Sequence, residues 1–158
     1  MKRSRSGFSM VELLVVIAIM GILVTFAVPK IRTFRSGNNL RSAKAQVASS
    51  LATARAAAIQ KGRDARFIVR GNNLAVAVDT SGAFGLQELV VLSNVPIDDR
   101  YGAAITLRTA SDTMVTYDSR GFGSTGSGYR AVYVIRVQSM VDSVCVSPLG
   151  LINKQGCL

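Results

Sequence analysis

The feature that most limits what this chain can become is the run FSMVELLVVIAIMGILVTFAV over residues 8–28. It is 21 residues long and Glu12 is its one charge. At about 1.5 Å of rise per residue, such a helix is about 32 Å long, enough for a hydrocarbon core of ~30 Å. A cleavable secretory signal has a shorter apolar region, about 7–15 residues, and ends in a small-residue cleavage site. Here the run is longer and no A-x-A site follows it. It reads as a retained membrane anchor. Pro29 comes next and marks a helix kink or a boundary. Lys2, Arg3 and Arg5 flank one end and Lys30, Arg32 and Arg35 the other, so charge alone does not orient the span.

An acid inside a span is costly and reads as functional unless it snorkels near the helix end. A cut between Gly7 and Phe8 would create an α-ammonium four residues before Glu12, about one helical turn away. The ammonium of the same chain could pair with Glu12. So could that of a parallel neighbour shifted along its axis, and such a pair would neutralise both charges and set an axial register between subunits.

The string from Gly7 to Leu23, GFSMVELLVVIAIMGIL, resembles the prepilin signature of type IV pilins and pseudopilins. The match joins a short basic leader, a Gly-Phe junction, an acid at the fifth mature position and an apolar helix. The resemblance implies cleavage after Gly7 by a prepilin peptidase and N-methylation of Phe8. It also implies that Glu12 pairs with the adjacent subunit's N-terminus in assembly, and that Pro29 is the helix-bending proline. Three weaker motifs resemble the GspH/FimT-type minor pilins: the Ala-rich stretch from Leu51 to Ile59 with Arg55 inside it, Tyr117-Asp118-Ser119-Arg120-Gly121, and Val144-Cys145-Val146-Ser147-Pro148-Leu149-Gly150.

Past the apolar run, residues 30–61 favour helix, with Leu40, Val47, Leu51, Ala54, Ala58 and Ile59 at helical spacing and Arg41, Lys44, Arg55 and Lys61 on the polar face. Gly37-Asn38-Asn39 is a weak point in that helix, and Gly62 a natural stop. Beyond Gly62 the period changes to two. Residues 65–70 and 74–79 flank Gly71-Asn72-Asn73 as a hairpin, and residues 89–92, 104–109, 113–118, 130–137 and 143–147 are further strand candidates. No second helix is evident. The expected fold is α+β: a long N-terminal helix, transmembrane in its first half, packed on a C-terminal antiparallel β-domain of two small sheets. The expected divisions are a leader over residues 1–7, an assembly helix over 8–29, its amphipathic continuation over 30–62, and a periplasmic β-rich domain over 63–158.

The remaining chemistry is narrow. The chain has no His and two Cys, which excludes imidazole-based catalytic pairs and four-cysteine zinc sites. No metal site and no cofactor are expected. Gly121-Phe122-Gly123-Ser124-Thr125-Gly126 matches G-x-G-x-x-G, but a strand-like segment follows where a dinucleotide site needs a helix, so it reads as a turn. Asp98-Asp99 is the lone adjacent acidic pair and sits after Pro96, where a turn is expected, so no enzyme is read here. Cys145 and Cys157 would pair if the domain lies outside the cytoplasm, closing a short loop worth about 2–3 kcal/mol, the alternative being two free thiols. The net charge of +10 concentrates in residues 30–70, which carry ten basic residues against Asp64. Arg63, Arg66 and Arg70, together with Lys154, are the candidates for contact with DNA or a partner subunit. Leu151 stands where the DNA-binding members of this group would need an Arg.

The resulting expectation is a minor pilin acting in pilus biogenesis at or near the tip of a type IV pilus-like filament. A type II secretion pseudopilin is the first alternative and a DNA-binding minor pilin for uptake the second. Its partners would be other pilins or pseudopilins, the prepilin peptidase and the inner membrane. Its location would be single-pass in that membrane, with the C-terminal domain in the periplasm, and from there an extracellular pilus.

Overall fold

The computed structural model describes residues 9–81, 88–109, 113–125 and 130–154, with only the backbone of 27–29, 32 and 88. The chain divides into two compact units, Met1–Arg35 and Ser36–Leu158. Helix α1, Met10–Lys61, contributes to both.

In the first unit every described side chain of α1 is exposed, from Met10 through Phe26 and on to Phe34. The Thr25 hydroxyl donates to the Gly21 carbonyl at 3.0 Å, which satisfies it within the helix. Among the described residues, no helix is long and apolar enough to cross a membrane. The side chains described without a break cover residues 9–26, which is 18 positions of the 21-residue apolar run.

In the second unit α1 continues through Gly37-Asn38-Asn39 without interruption, because burial of the flanking turns outweighs the poor propensity of three residues. Leu40, Ala43, Val47, Leu51, Ala54 and Ala58 follow a 3-4 spacing and form the buried stripe. Half of that stripe is alanine, which lets the helix lie close to the sheets. Ile59, expected in the stripe, projects outward and is half exposed. The helix stops at Gly62, whose φ of 62° is costly for any residue with a Cβ.

Two antiparallel sheets complete this unit. The first comprises β1 (Ala65–Arg70), β2 (Asn73–Asp79), β3 (Glu88–Pro96), β5 (Met114–Tyr117) and β6 (Gly123–Thr125), in the order β3-β2-β1-β5-β6. The second comprises β4 (Ala104–Leu107), β7 (Ala131–Val137), β8 (Met140–Val146) and β9 (Ile152–Asn153), in the order β4-β7-β8-β9. Inward residues of both sheets and the helix stripe make one core, in which the Phe67 and Tyr133 rings meet edge-to-face at 5.4 Å. The α+β fold, with its helix on two antiparallel sheets, is as the sequence led one to expect.

The differences are local. A short helix, α2 (Ile97–Tyr101), replaces the expected turn at Asp98-Asp99. Pro96 precedes it, both acids lie in its first turn, and Gly102 ends it at φ 60°. The glycine-rich match is not wholly a turn, since Gly123–Thr125 is strand β6, paired with β5 through Tyr117↔Gly123 and Val115↔Thr125. Asn72, at the β1–β2 hairpin, ties the sheets together. Its carbonyl accepts the Ile97 N–H, its side-chain oxygen accepts the Ile105 N–H at 3.0 Å, and its amide donates to Asp98 at 3.3 Å.

Candidate functional site

Glu12 lies in the first turn of α1, where a carboxylate suits the exposed N–H groups of the helix start, and it is exposed. Gly7 and Phe8, the expected cleavage and methylation positions, lie outside the described residues. Helix α1 runs through Pro29. Cys145 is buried on β8 and disulfide-bonded. Cys157, the other cysteine of the sequence, lies outside the described residues.

The cations proposed for DNA or partner contact do not converge. On β1 the burial alternates, with Ala65, Phe67 and Val69 inward and Arg66, Ile68 and Arg70 outward, as the period-2 reading requires. Arg66 and Arg70 are four residues apart on that strand, about 13 Å. Arg63 lines a shallow concavity of about 180 Å³ with Lys61, Val78, Asp79, Thr80 and Leu89. Lys154 follows β9 in the other sheet.

The three weak motifs do converge. Asp118-Ser119-Arg120-Gly121 and Ser147-Pro148-Leu149-Gly150 are two turns built alike. In the first, the Gly121 N–H donates to the Asp118 carbonyl, the Asp118 N–H to the Phe122 carbonyl, and the Phe122 N–H to the Asp118 carboxylate, each at 2.9 Å. In the second, the Gly150 N–H donates to the Ser147 carbonyl at 2.8 Å, the Ser147 N–H to the Leu151 carbonyl at 2.9 Å, and the Leu151 N–H to the Ser147 hydroxyl at 3.2 Å. A short oxygen-bearing side chain opens each turn and a positive-φ glycine closes it, at 84° for Gly121 and 77° for Gly150.

The turns meet backbone to backbone. A Cβ placed on Gly150 would sit 2.7 Å from the Gly123 nitrogen and 2.8 Å from the Gly121 carbonyl oxygen, and one on Gly123 would sit 2.8 Å from the Gly150 Cα. A Cβ on Gly121 would meet Ile59 Cδ1 at 2.9 Å and Arg55 Nε at 3.1 Å, so the helix end closes over the same spot. The Tyr117 ring forms the floor, 3.1 Å from the Gly150 position. Burial pushes the Tyr117 hydroxyl from 10.0 up to about 12, with Arg55 pulling the other way. That hydroxyl and Arg55 Nε are buried with no hydrogen-bond partner among the described residues. The sequence offered each motif separately, but their meeting is a long-range contact that no local signal announces.

Among the described residues, no cluster of His, Cys, Asp or Glu could hold a metal ion. The arrangement is a helix laid on two antiparallel sheets, its end closing over a seam of glycine turns. Residues 2–28 match the prokaryotic N-terminal methylation motif. A fimbrial protein of Pseudomonas aeruginosa is 29% identical over 110 residues, covering 66% of this chain and 67% of that protein. Two crystal forms of the type IV minor pilin FimU from Pseudomonas aeruginosa PAO1 share the fold. The first has a TM-score of 0.55 at 17% identity, over 78% of this chain and 92% of that one. The second has a TM-score of 0.53 at 17% identity, over 74% and 93%. The motif, the fimbrial relative and the fold together support a type IV pilin-like family, whose members here are structural pilins and not enzymes.

Proposed function

We propose that the chain is a minor pilin of the GspH/FimT type, an assembly subunit of a type IV pilus-like filament at or near its tip. The observation that carries this reading is the methylation motif over residues 2–28 on a chain whose second unit has the minor-pilin fold. In this reading prepilin peptidase cuts between Gly7 and Phe8, and Phe8 is N-methylated. The apolar helix holds the subunit in the inner membrane with the β-domain in the periplasm, then enters the filament core. Glu12 meets the N-terminal ammonium of a neighbouring subunit and sets the axial register. Pro29 bends the helix, and Cys145 pairs with Cys157 to hold the C-terminal tail.

Intact mass and N-terminal sequencing of the full chain, expressed in membranes with and without an active prepilin peptidase, test it. A chain starting at N-methyl-Phe8 supports the reading, and a Met1 chain beside a correctly cut control pilin refutes it.

The DNA-uptake reading draws less support, because Arg66 and Arg70 lie at opposite ends of β1's outer face, Arg63 precedes that strand and Lys154 follows the other sheet. Four dispersed cations give a shallow salt dependence rather than a tight phosphate grip. A type II secretion pseudopilin shares this architecture, and no geometric feature favours it over the pilus.

A further inference from the structure

We infer that the tip of the β7–β8 hairpin is a latch on helix α1: the Gln138 side chain holds Ser36, and opening that bond lets the helix unwind from Ser36 to Ala43 and no further. Both residues belong to the second unit. Nothing in this latch depends on the pilin reading above.

The turn adopts a conformation that its own residue disfavours. Val137 pairs with Met140, so Gln138 and Ser139 are the two-residue loop of the hairpin. Gln138, the first of the two, has φ 54°. Glycine is the usual residue where the first position of such a loop needs a positive φ, and a side chain there carries strain. What glutamine has and glycine lacks is a side-chain carbonyl. That oxygen accepts a hydrogen bond from the Ser36 hydroxyl at 2.7 Å. A strained residue that persists in a fold points to a task for it, and here the task is a grip on the helix.

The grip falls where α1 is weakest held. Among the described residues, Ser36 is the first buried side chain of the helix, 5% exposed, and every one before it is exposed. Gly37-Asn38-Asn39 follows, three poor helix formers in a row. Gly37 faces Met140, whose sulfur lies 3.9 Å from where a Cβ would stand. Over residues 36–43 the helix buries two apolar side chains, Leu40 and Ala43. Lys44 is then ion-paired with Asp142 on β8, and beyond it Val47, Ala48, Leu51 and Ala54 are all buried. The hold is light before Lys44 and heavy after it, which sets the limits of the segment that opens. Eight residues passing from about 1.5 Å to about 3.3 Å of rise lengthen the chain there by roughly 14 Å.

Amide hydrogen exchange, read by mass spectrometry on the full chain in detergent micelles, tests the latch. Two variants are chosen because their local effect runs against the predicted one. Gln138→Gly relieves the strained turn, and Ser36→Ala raises helix propensity. Without a latch, neither speeds exchange in α1. With it, exchange over residues 37–43 rises about threefold to tenfold in each variant, the double variant adds nothing further, and residues 47–58 are unchanged. Asn94→Gly, which relieves φ 44° on β3, is the control and leaves residues 37–43 as in the parent chain. Unchanged or slower exchange over 37–43 in either variant overturns the latch. A rise that spreads equally into 47–58 overturns it too, because the opening segment would not end at Ala43. Either failure leaves the pilin reading standing, since that reading is decided by cleavage at Gly7/Phe8.

Discussion

Replacing Gly150 with Ala perturbs the seam at its tightest point. Alanine at φ 77° is in the left-handed region, which costs about 1–2 kcal/mol for a residue with a Cβ. The added methyl would also stand 2.7 Å from the Gly123 nitrogen and 2.8 Å from the Gly121 oxygen. Both are backbone atoms, held in place by strand pairing and turn hydrogen bonds, so neither can swing aside as a flexible side chain would. Relief requires the turns to separate, and overpacking of this kind costs about 1–3 kcal/mol. The sum is about 2–5 kcal/mol, a large share of the ~5–15 kcal/mol that holds a typical domain. At about 4 °C per kcal/mol for a unit of this size, the expected fall in Tm is roughly 8–20 °C. Gly71→Ala is the control, because Gly71 has φ 59° and open space around it. It bears only the conformational cost, roughly 4–8 °C. Circular dichroism melts of both full-length variants in detergent micelles decide the matter. Equal losses for the two would refute the claim that the seam is a close backbone contact.

Three further outcomes follow from particular side chains. Because Tyr117 has its hydroxyl raised to about 12 against 10.0 unfolded, the native state keeps that proton while the unfolded state loses it. Its contribution to stability is whole below pH 10 and is lost as pH rises through 12, about 2–3 kcal/mol in all. Tyr117→Phe should remove that slope from melts taken between pH 9 and 12 while costing less than about 1 kcal/mol near neutrality. Asn72→Ala strands the Ile105 N–H, whose residue is buried, and should cost about 1–3 kcal/mol by denaturant titration. Asp142→Asn weakens the ion pair with Lys44, whose carboxylate side is 38% exposed, so the loss should stay below about 1 kcal/mol and shrink further in high salt.

Much of the fold was legible because its signals are local. The helix stripe announces itself by spacing, its end by Gly62, the first hairpin by Gly71-Asn72, and the faces of β1 by alternation. Helix α2 escaped because five residues are too few to show a 3.6 period, although Pro96, Asp98-Asp99 and Gly102 are its start and stop signals. Strand β6 escaped because Gly123-Ser124-Thr125 has the composition of a loop, and its glycine is there so that Gly150 can approach. Ile59 has the right spacing for the core, but it sits where the helix end passes beyond the sheets and covers Gly121 instead. For the site, the N-terminal motif was readable since its parts are contiguous. The seam was not, since Arg55, Tyr117, Gly121 and Gly150 come together only when the two sheets close on the helix.

The most direct test of the central claim, that this chain is a filament subunit, is whether processed chain leaves the membrane in assembled fibres. Filaments sheared from cells and freed of membrane should contain the chain beginning at Phe8, at low copy number beside a major pilin. Glu12→Ala should still be cut at Gly7 yet be missing from the sheared fraction. A cut wild-type chain that stays wholly in the membrane fraction, or a Glu12→Ala chain that assembles as well as wild type, would contradict the account.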